Sequence, residues 1–427
     1  MAYAGSRPKR IGIFTADLKT PGGSSRKGCL MAERLSRRYE VWLISYDQLD
    51  VQALGRSFGV SLENVRCHCL SQPARGFSGW RWLSELFPRH IRDLIIQIPT
   101  YRRLFALKLD LFIHNTSFHY MRAPAPRSIF MCMFPWPTAP FPRTRWCHLP
   151  VLRKIVDYAL SNTLNRYRHT AKTYDVITAN SEFTAAWVKR LWNRDAKVVY
   201  SATELIPTAP ADKQKIVLSV GRFNTDKQQH VLIDAFRSMP QLREAGWALH
   251  LAGQINRGEW ARDYHQKLVE SARGLPVVFH YDPSIEELRA LYRRSAIYWH
   301  AKGFGVPEDQ PQFLEHFGNT PLEAMSAGCV PVVPDAGGLR ETVQQGVNGF
   351  RWGTIEELKE YTHRLAQDAD LLATFRTRAM QIDTRFGVEP FLRAVEAVVD
   401  DALLRPLRPA HARHPSAPGR CPVSEEP

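Results

Sequence analysis

The sequence contains no long uninterrupted run of apolar residues. A helix that spans a membrane needs roughly 18 such residues in succession, and no segment of the 427-residue chain approaches that length. The apolar stretch at residues 11–14 ends before Asp17, which is shorter than the roughly 7–15 residues of a signal-peptide core. These absences argue against a membrane-crossing protein and against a leader peptide. A buried first strand explains the stretch better.

Cysteine pairs and internal repeats are also missing. The seven cysteines are odd in number and scattered, and they include no Cys-x-x-Cys pair. This pattern favours neither a disulfide framework nor a zinc site and is typical of a protein of the reducing cytosol. No repeat with a period of 20–50 residues is visible, which excludes solenoid and propeller folds.

The basic excess lies entirely in the first half of the chain. Residues 1–210 hold 31 Lys and Arg against 14 Asp and Glu, giving +17, whereas residues 211–427 hold 26 against 28, giving −2. The sum is the net charge of +15. The first half is therefore expected to meet an anionic partner or a membrane face, with nucleic acid as the rival partner.

Short apolar runs alternate with helical patterns in both halves, which is typical of βαβ units and parallel sheets. Strands are predicted at residues 10–15, 41–45, 110–114, 128–132, 176–179, 197–200, 216–220, 248–251, 277–280, 297–300 and 329–333. Helices are predicted at residues 28–38, 181–192, 227–239, 261–272, 285–294 and 320–327. The fold class is α/β, with two doubly wound, Rossmann-like domains that face each other across a cleft. Ligands are expected at the carboxyl ends of the strands.

Two prolines, Pro207 and Pro210, interrupt the pattern between the halves and mark a domain boundary. We predict a first domain at residues 1–206 and a second at 207–385. A helix over 386–404 is predicted to pack back on the first domain. Residues 405–427, rich in Pro, Arg, His and Ser, are predicted to form a disordered tail.

The segment Ser-Val-Gly-Arg-Phe-Asn-Thr-Asp-Lys at residues 219–227 leaves a predicted strand and enters a predicted helix. Its glycine, Gly221, allows close approach of a ligand to the backbone. Arg222 and Lys227 can then both point at an anion near the helix N-terminus, and a diphosphate fits that arrangement. The competing interpretation is a solvated Arg and Lys on a loop.

The segment at residues 315–328 reads Glu-His-Phe-Gly-Asn-Thr-Pro-Leu-Glu-Ala-Met-Ser-Ala-Gly. Glu315 is expected in a loop and Glu323 in the first turn of a helix, with Asn319 or Thr320 as its cap. Free N–H groups at residues 317–320 would face the cleft. Two carboxylates beside a helix N-terminus suit a ligand that carries sugar hydroxyls and phosphates. A capping Glu and a surface Glu remain the alternative.

These motifs in combination, followed by Asp-Ala-Gly-Gly-Leu-Arg-Glu at residues 335–341, resemble those of retaining GT-B glycosyltransferases of family four. The similarity extends over residues 10–400. It is nearest to bacterial envelope-polysaccharide enzymes and to lipid-linked-oligosaccharide mannosyltransferases, which carry a similar Glu-His-Phe-Gly stretch. The resemblance implies a GT-B fold, a nucleotide-sugar donor and a metal-independent reaction without a cofactor.

The resemblance also implies roles for individual residues. Arg222 and Lys227 would hold the donor diphosphate and offset charge on the leaving group. Glu315 would contact the transferred sugar, assisted by the backbone N–H groups of Phe317 and Gly318 and by the helix start at Asn319 and Thr320. Glu323 would hold the ribose, and the base would stack near residues 280–283. Gly22 and Gly23, in a loop after the first strand, would cover the diphosphate.

The first domain departs from the family pattern at Met133. Related sequences carry a histidine after the strand that here ends at Cys132, and methionine cannot hydrogen-bond a sugar as imidazole can. Three explanations are open. Another residue hydrogen-bonds the donor sugar in place of the histidine, with His119 or His114 as candidates. Alternatively, the donor lacks the hydroxyl that the histidine would bind, or the protein has lost activity. We assign His119 provisionally to the catalytic set, although a structural role competes for both histidines.

Aromatic and basic residues are interleaved at residues 75–108 and 134–155. Such a mixture suits the headgroup layer of an anionic membrane. The alternative for the first segment is a helix that packs its apolar face on the domain core with solvated arginines. The second segment is expected to shape the acceptor mouth.

We therefore predict a cytoplasmic retaining glycosyltransferase, a hexosyl- or deoxyhexosyltransferase, with peripheral association at the inner face of the cytoplasmic membrane as a further expectation. It would act on a glycan or lipid-linked acceptor in cell-surface polysaccharide or glycolipid synthesis. The alternative is a catalytically impaired nucleotide-sugar or glycan-binding protein of the same fold. No metal site is expected. No nucleic-acid partner is expected either, because the sequence has no motif that reads nucleic acid.

Overall fold

The computed structural model of the protein describes residues 7–16, 18, 23–46, 48–70, 103–116, 123–135, 171–206, 213–255, 259–382 and 385–406. Within this part of the chain, two separate parallel β-sheets are flanked by helices. No described helix is both long and apolar enough to cross a bilayer.

The first sheet is built from the first half of the chain. Its strands are β1 (Arg10–Phe14), β2 (Glu40–Ser45), β3 (Val65–Cys69), β4 (Leu111–His114), β5 (Arg127–Cys132), β6 (Val176–Ala179) and β7 (Lys197–Val198), in the order β3-β2-β1-β4-β5-β6-β7. All neighbours pair in parallel. The helices described around it are α1 (Gly23–Ser36), α2 (Val51–Phe58) and α3 (Glu182–Trp192).

The second sheet has the same winding. Its strands are β8 (Gln214–Val220), β9 (Ala248–Gly253), β10 (Val277–Tyr281), β11 (Ser295–Trp299), β12 (Val330–Pro334) and β13 (Phe350–Trp352), in the order β10-β9-β8-β11-β12-β13. The helices are α4 (Gln229–Arg237), α5 (Pro240–Glu244), α6 (Glu259–Ser271), α7 (Ile285–Arg294), α8 (Asn319–Ser326), α9 (Leu339–Thr342), α10 (Ile355–Gln367), α11 (Ala369–Met380) and α12 (Val388–Leu404). The strand order reverses between β8 and β11, which is where such sheets bind ligands.

Each predicted strand overlaps an observed one, and two observed strands were missed. Strand β3 reads Val-Arg-Cys-His-Cys and β13 only Phe-Arg-Trp, so neither offers the continuous apolar run of a central strand. Both lie at sheet edges. The predicted helix over 227–239 was wrong at its start, because Thr225–Lys227 forms a 3₁₀ turn and Gln228 adopts a left-handed conformation with φ of 52°.

Helix α12 completes the core of the first sheet. Its apolar side chains pack with strand residues such as Ile11 and Ile129. Its acidic side chains form ion pairs with basic residues of the first half: Arg34 with Glu389 and Glu396, Arg38 with Asp400, and Lys197 with Asp401. Helix α12, which follows the second domain in sequence, thus stabilises the first domain.

Replacement of Val399 by Ala should destabilise the first domain. Val399 is fully buried in the shared core, and the loss of two methyl groups there should cost about 2 kcal/mol. Urea unfolding that follows each domain separately measures this loss. Val347→Ala is the matched control, because Val347 is 44% exposed. A change confined to the second domain would contradict this assignment of α12.

Candidate active site

The predicted cation and carboxylate of the second domain meet at the end of the second sheet. Lys227 closes the 3₁₀ turn that follows β8, and Asn224 caps that turn by accepting a hydrogen bond from the Lys227 backbone N–H at 3.1 Å. Glu315 lies just before α8. The Lys227 Nζ donates to Glu315 Oε2 at 2.9 Å, and the two side chains are only 20% and 16% exposed. Residues 88 positions apart therefore form one largely buried ion pair.

Two further basic side chains contact or face Glu315, and both follow β11: an imidazole whose pKa is lowered by burial, and an ammonium group. His300 Nε2 lies 3.3 Å from Glu315 Oε2. Lys302 interacts with Glu315 electrostatically, and its Nζ lies 3.2 Å from Asp226 Oδ2. Neither residue was predicted from the sequence, in which they belong to no motif. They reach Glu315 because they follow a buried strand at the edge of the sheet where ligands bind.

The electrostatics keep Glu315 ionised. Burial alone would raise its pKa, but Lys227, Lys302 and His300 outweigh burial and hold the pKa well below its usual range. Burial would also lower the pKa of Lys302, yet Glu315 and Asp226 raise it on balance. The site therefore contains a fixed negative charge bounded by ammonium groups.

Arg222 lies on the exposed side of this cluster. Its side chain is exposed, and its positive charge is close enough to Lys302 to oppose ionisation of that amine. The Arg222 carbonyl accepts a hydrogen bond from Gln229 Nε2 at 2.8 Å. The structure thus places Arg222 near the pair formed by Lys227 and Glu315, but it does not bring the guanidinium onto Glu315.

Glycines let the backbone segments of the site approach one another. A Cβ atom on Gly253, at the end of β9, would lie 2.0 Å from the Gly221 carbonyl oxygen. Gly337 has a φ of +58°, and a Cβ atom there would lie 2.2 Å from the Glu315 carbonyl oxygen. The N–H of Gly338 donates to that carbonyl at 2.8 Å. Gly337 and Gly338 therefore pack directly against the Glu315 backbone, and Gly338 holds its carbonyl by a hydrogen bond.

Helix α8 begins earlier than predicted, and its predicted caps have other partners. Gly318 is the N-cap with a φ of +92°, and no side chain caps the helix. Asn319 Oδ1 accepts from the Thr203 hydroxyl at 3.1 Å, and Thr320 Oγ1 accepts from the Tyr298 hydroxyl at 2.8 Å. Phe317 is buried against Tyr200. The prediction that Asn319 or Thr320 caps the helix was wrong.

Glu323 is the fifth residue of α8, which begins one residue earlier than predicted, so it lies at the start of the second turn and not in the first. Its Oε2 accepts a hydrogen bond from the Tyr292 hydroxyl at 2.9 Å. Burial raises the pKa of Glu323 to about 7, and the hydrogen bond from Tyr292 only partly offsets this. Unlike Glu315, this carboxyl has no cation as a direct partner among the described residues.

Two helix N-termini face each other across the cleft. Helix α1 begins at Gly23, five residues before its predicted start. A Cβ atom on Gly23 would lie 3.7 Å from Asn319 Nδ2 at the start of α8. Gly22, the other predicted donor-binding glycine, lies outside the described residues. The predicted glycine loop after β1 thus ends at Gly23, next to the start of α8 in the second domain.

Of the two histidine candidates in the first domain, the structure describes only His114. His114 is fully buried among Phe14, Phe130 and Tyr174, with its ring 4.7 Å from that of Phe130. It belongs to the core and does not reach the cleft. His119 lies outside the described residues, as do residues 75–102 and 136–155 of the interleaved basic and aromatic segments.

Met133 follows β5 at the cleft edge of the first sheet, and its carbonyl accepts a hydrogen bond from the Thr184 hydroxyl at 3.3 Å. The next residue, Phe134, stacks on His316 of the second domain with ring centroids 4.1 Å apart. Burial lowers the pKa of His316 to about 4. A neutral imidazole therefore lies beside the position of the missing histidine.

No group of three or more His, Cys, Asp or Glu side chains that could hold a metal ion occurs in the described part of the chain. The sequence has an Asp-x-Asp triplet at residues 368–370. Asp368 there caps α11 by accepting from the Leu371 backbone N–H at 2.8 Å. The triplet is thus accounted for by a helix start away from Glu315.

Residues 203–381 match the sequence family described as Glycosyl transferases group 1. Alpha-1,3/1,6-mannosyltransferase alg-2 of Neurospora crassa is 27% identical over 221 residues, which cover 41% of this chain and 44% of that protein. The GDP-Man:Man(3)GlcNAc(2)-PP-Dol alpha-1,2-mannosyltransferase of the same fungus is 25% identical over 264 residues, covering 53% and 45%. The chain spans about half the length of these curated relatives.

Solved structures confirm the predicted α/β GT-B fold. Anabaena Alr3699/HepE, crystallised with UDP and glucose, covers 91% of this chain and 99% of its own, with a TM-score of 0.63 at 20% identity. WaaG, a glycosyltransferase involved in lipopolysaccharide biosynthesis, covers 91% and 99%, with a TM-score of 0.63 at 12% identity. Together with the family match, this likeness in fold supports the resemblance to GT-B glycosyltransferases.

Replacement of Glu323 by Gln should flatten the dependence of stability on pH. The folded pKa of about 7 lies above the ordinary value of 4.5, so the stabilising contribution of the protonated carboxyl is present below pH 4.5 and is lost as pH rises through 7. Wild-type protein should lose roughly 1–2 kcal/mol relative to the variant between about pH 5.5 and 8.5. Urea unfolding at both pH values measures this loss.

Glu308→Gln is the matched control for that experiment, because the Glu308 side chain is 89% exposed. Its pH profile should follow that of the wild type. Parallel profiles for wild type and Glu323→Gln would contradict the raised pKa of Glu323.

Proposed function

Because residues 203–381 match the group 1 glycosyl transferases and the chain has the GT-B fold, we propose that the protein is a retaining glycosyltransferase. It would transfer a hexosyl or deoxyhexosyl unit from a nucleotide-sugar donor to a glycan or lipid-linked acceptor. The observation that carries this proposal is the ionised Glu315 held among Lys227, Lys302 and His300.

The cations of this cluster suit a donor diphosphate. Lys227 and Lys302 follow two strands that flank the reversal of strand order, and Arg222 extends the positive charge towards solvent. Phosphate oxygens would replace part of the contact that Lys227 makes with Glu315. As the bond between the sugar C1 and the diphosphate oxygen breaks, these cations would stabilise charge on the leaving group.

Glu315 would serve the transferred sugar. Because its pKa is held low, it offers a carboxylate that accepts hydrogen bonds from sugar hydroxyls and stabilises positive charge that develops at C1. The backbone N–H groups of Phe317 and Gly318 adjoin it. A new bond from C1 to the acceptor oxygen would then form on the face from which the nucleoside diphosphate leaves.

The nucleoside would lie on the other side of the cluster. Glu323 would accept hydrogen bonds from the ribose hydroxyls. Tyr281, which ends β10, is 45% exposed and its ring lies 5.7 Å from that of Phe223. Tyr281, packed near the fully buried Phe223, offers an aromatic surface on which a base can stack.

The acceptor would bind the first domain, which carries the basic excess of the chain. The similar proteins include mannosyltransferases, one of which is named for an acceptor linked to dolichol diphosphate, and this favours a lipid-linked glycan in surface polysaccharide or glycolipid synthesis. We place the protein in the cytoplasm, at the anionic inner face of the membrane. Met133 favours a donor that does not require a hydrogen bond from imidazole at that position.

Replacement of Glu315 by Gln should lower sugar transfer by roughly 100-fold or more, because the charge that faces the reacting carbon is lost. Transfer from GDP-mannose and UDP-glucose to acceptors in a membrane extract measures the effect. Glu308→Gln, seven residues upstream and 89% exposed, should retain wild-type turnover. Unchanged turnover of Glu315→Gln would overturn the assigned site, and donor binding without any transfer by the wild type would favour a binding protein.

Sugar transfer should persist in excess EDTA. The ammonium groups of Lys227 and Lys302, with the Arg222 guanidinium, would supply the positive charge that a divalent ion supplies elsewhere. Initial rates with EDTA and with added Mg²⁺ or Mn²⁺ should agree within about twofold, the scale of ordinary salt effects on charged ligands. Activity that appears only with a divalent ion would contradict metal-independent transfer.

A further inference from the structure

Ser181 is a fully buried serine of the first domain that hydrogen-bonds the second domain. It is the N-cap of α3, and its Oγ accepts from the Thr184 backbone N–H at 3.0 Å, as a capping oxygen does. The same hydroxyl donates to the backbone carbonyl of His316 at 2.7 Å, which is nearer than the Thr184 hydroxyl at 3.0 Å. Capping uses only the oxygen of the side chain. The donated hydrogen bond is therefore a second role, which the helix itself does not require.

This hydrogen bond acts on the peptide next to Glu315. The Glu315 carbonyl accepts from the Gly338 N–H at 2.8 Å, within the second domain. The following carbonyl, that of His316, accepts from Ser181 of the first domain, at the preferred distance for a hydroxyl donor. Two consecutive carbonyls are thus held from two different domains. The backbone that carries the Glu315 side chain cannot shift without losing one of these contacts.

The first turn of α3 is itself fixed to both edges of the cleft. On the second domain, the Glu341 carboxylate accepts from the backbone N–H groups of residues 182 and 183 at 2.9 and 2.8 Å. On the first domain, the Thr184 hydroxyl donates to the Met133 carbonyl at 3.3 Å, and Thr184 is fully buried. Ser181 lies between these contacts. Its hydroxyl is therefore held at a defined place relative to the Glu315 loop.

Glu315 would need this support most when a donor is bound. In the structure, Lys227 and His300 contact the carboxylate directly, and in the proposed function phosphate oxygens replace part of the Lys227 contact. The position of the carboxylate then depends more on its backbone. A displacement of about 1 Å at a reacting group can lower a rate by about 100-fold.

We propose that Ser181 is a positioning residue for sugar transfer: by donating to the His316 carbonyl, it sets the position of the Glu315 loop from the first domain. Its role in transfer rests on the proposed function, whereas its hold on the loop does not. Glu341 assists by fixing the first turn of α3. Ser181 acts through the Glu315 loop and needs no contact with the substrate.

Three variants of the full chain separate the two roles of Ser181. Ser181→Ala removes both the cap and the donated hydrogen bond. Ser181→Asp keeps a good capping residue, but an ionised carboxylate donates no hydrogen bond. Ser181→Thr keeps a hydroxyl for both roles. Thr354→Ala is the matched control, because Thr354 caps α10 in the same way, by accepting from the Glu357 backbone N–H, and the site does not use α10.

In transfer assays, kcat should fall roughly tenfold in Ser181→Ala and Ser181→Asp, the scale of one lost hydrogen bond. The donor KM should stay within about twofold, because the cations proposed for the diphosphate belong to the second domain. Ser181→Thr should retain at least about half of the wild-type kcat, and Thr354→Ala should match the wild type. Wild-type kcat in Ser181→Asp would show that only the cap matters and would overturn the proposal.

Glu341→Gln provides a second, independent variant. It leaves Ser181 in place but removes the charge that holds the start of α3, so kcat should fall roughly threefold. Glu308→Gln, at the 89% exposed Glu308, is its control and should match the wild type. Equal kcat in these two variants would contradict the assistance assigned to Glu341.

Hydrogen exchange tests the hold on the loop without donor or turnover. The reporter is the Gly338 amide, because its acceptor is the Glu315 carbonyl. Its exchange should be roughly tenfold faster in Ser181→Ala and Ser181→Asp and unchanged in Thr354→Ala. Unchanged exchange in Ser181→Ala would overturn the proposal. If the wild type transfers no sugar, the proposed function fails, and the exchange of Gly338 still decides whether Ser181 holds the Glu315 loop.

Discussion

The buried charge of Glu315 is the constraint on which the second domain depends. A carboxylate removed from water requires compensation, and here it comes from Lys227 after β8 and from His300 and Lys302 after β11. These groups converge only if β8 and β11 are adjacent and parallel, as they are. Behind the carboxylate, Gly337 and Gly338 hold the Glu315 backbone. The sheet topology and the charge of the site therefore stabilise each other, and a break in either leaves an unpaired ion in the interior.

The same loop joins the two domains. His316, the next residue after Glu315, stacks on Phe134, and its carbonyl accepts from the Ser181 hydroxyl at 2.7 Å. Glu341 reaches from α9 to the start of α3, where it accepts from the backbone N–H groups of residues 182 and 183 at 2.9 and 2.8 Å. A carboxylate at a helix N-terminus is favourable. Residues on both sides of α8, His316 and Glu341, thus contact the first domain.

The sequence was sufficient for the parts of this arrangement that depend on local pattern. Strand positions followed from apolar runs, and Lys227, Glu315 and Glu323 followed from motif spacing. His300 and Lys302 could not be found that way, since a strand end becomes a ligand of Glu315 only after the sheet has formed. The caps of α8 were mispredicted for a related reason: Asn319 and Thr320 are good capping residues, but Thr203 and Tyr298, distant in sequence, engage their side chains instead.

Met133 changes the chemistry of the first domain without changing its architecture. Its carbonyl accepts a hydrogen bond from the Thr184 hydroxyl, and the following Phe134 stacks on His316, so these two contacts form without an imidazole at position 133. For the proposed sugar donor a thioether offers no hydrogen-bond donor, so the polar contacts would come mainly from the Glu315 loop. The first half of the chain adds positive charge, with an excess of +17 over residues 1–210, and such an excess favours an anionic ligand.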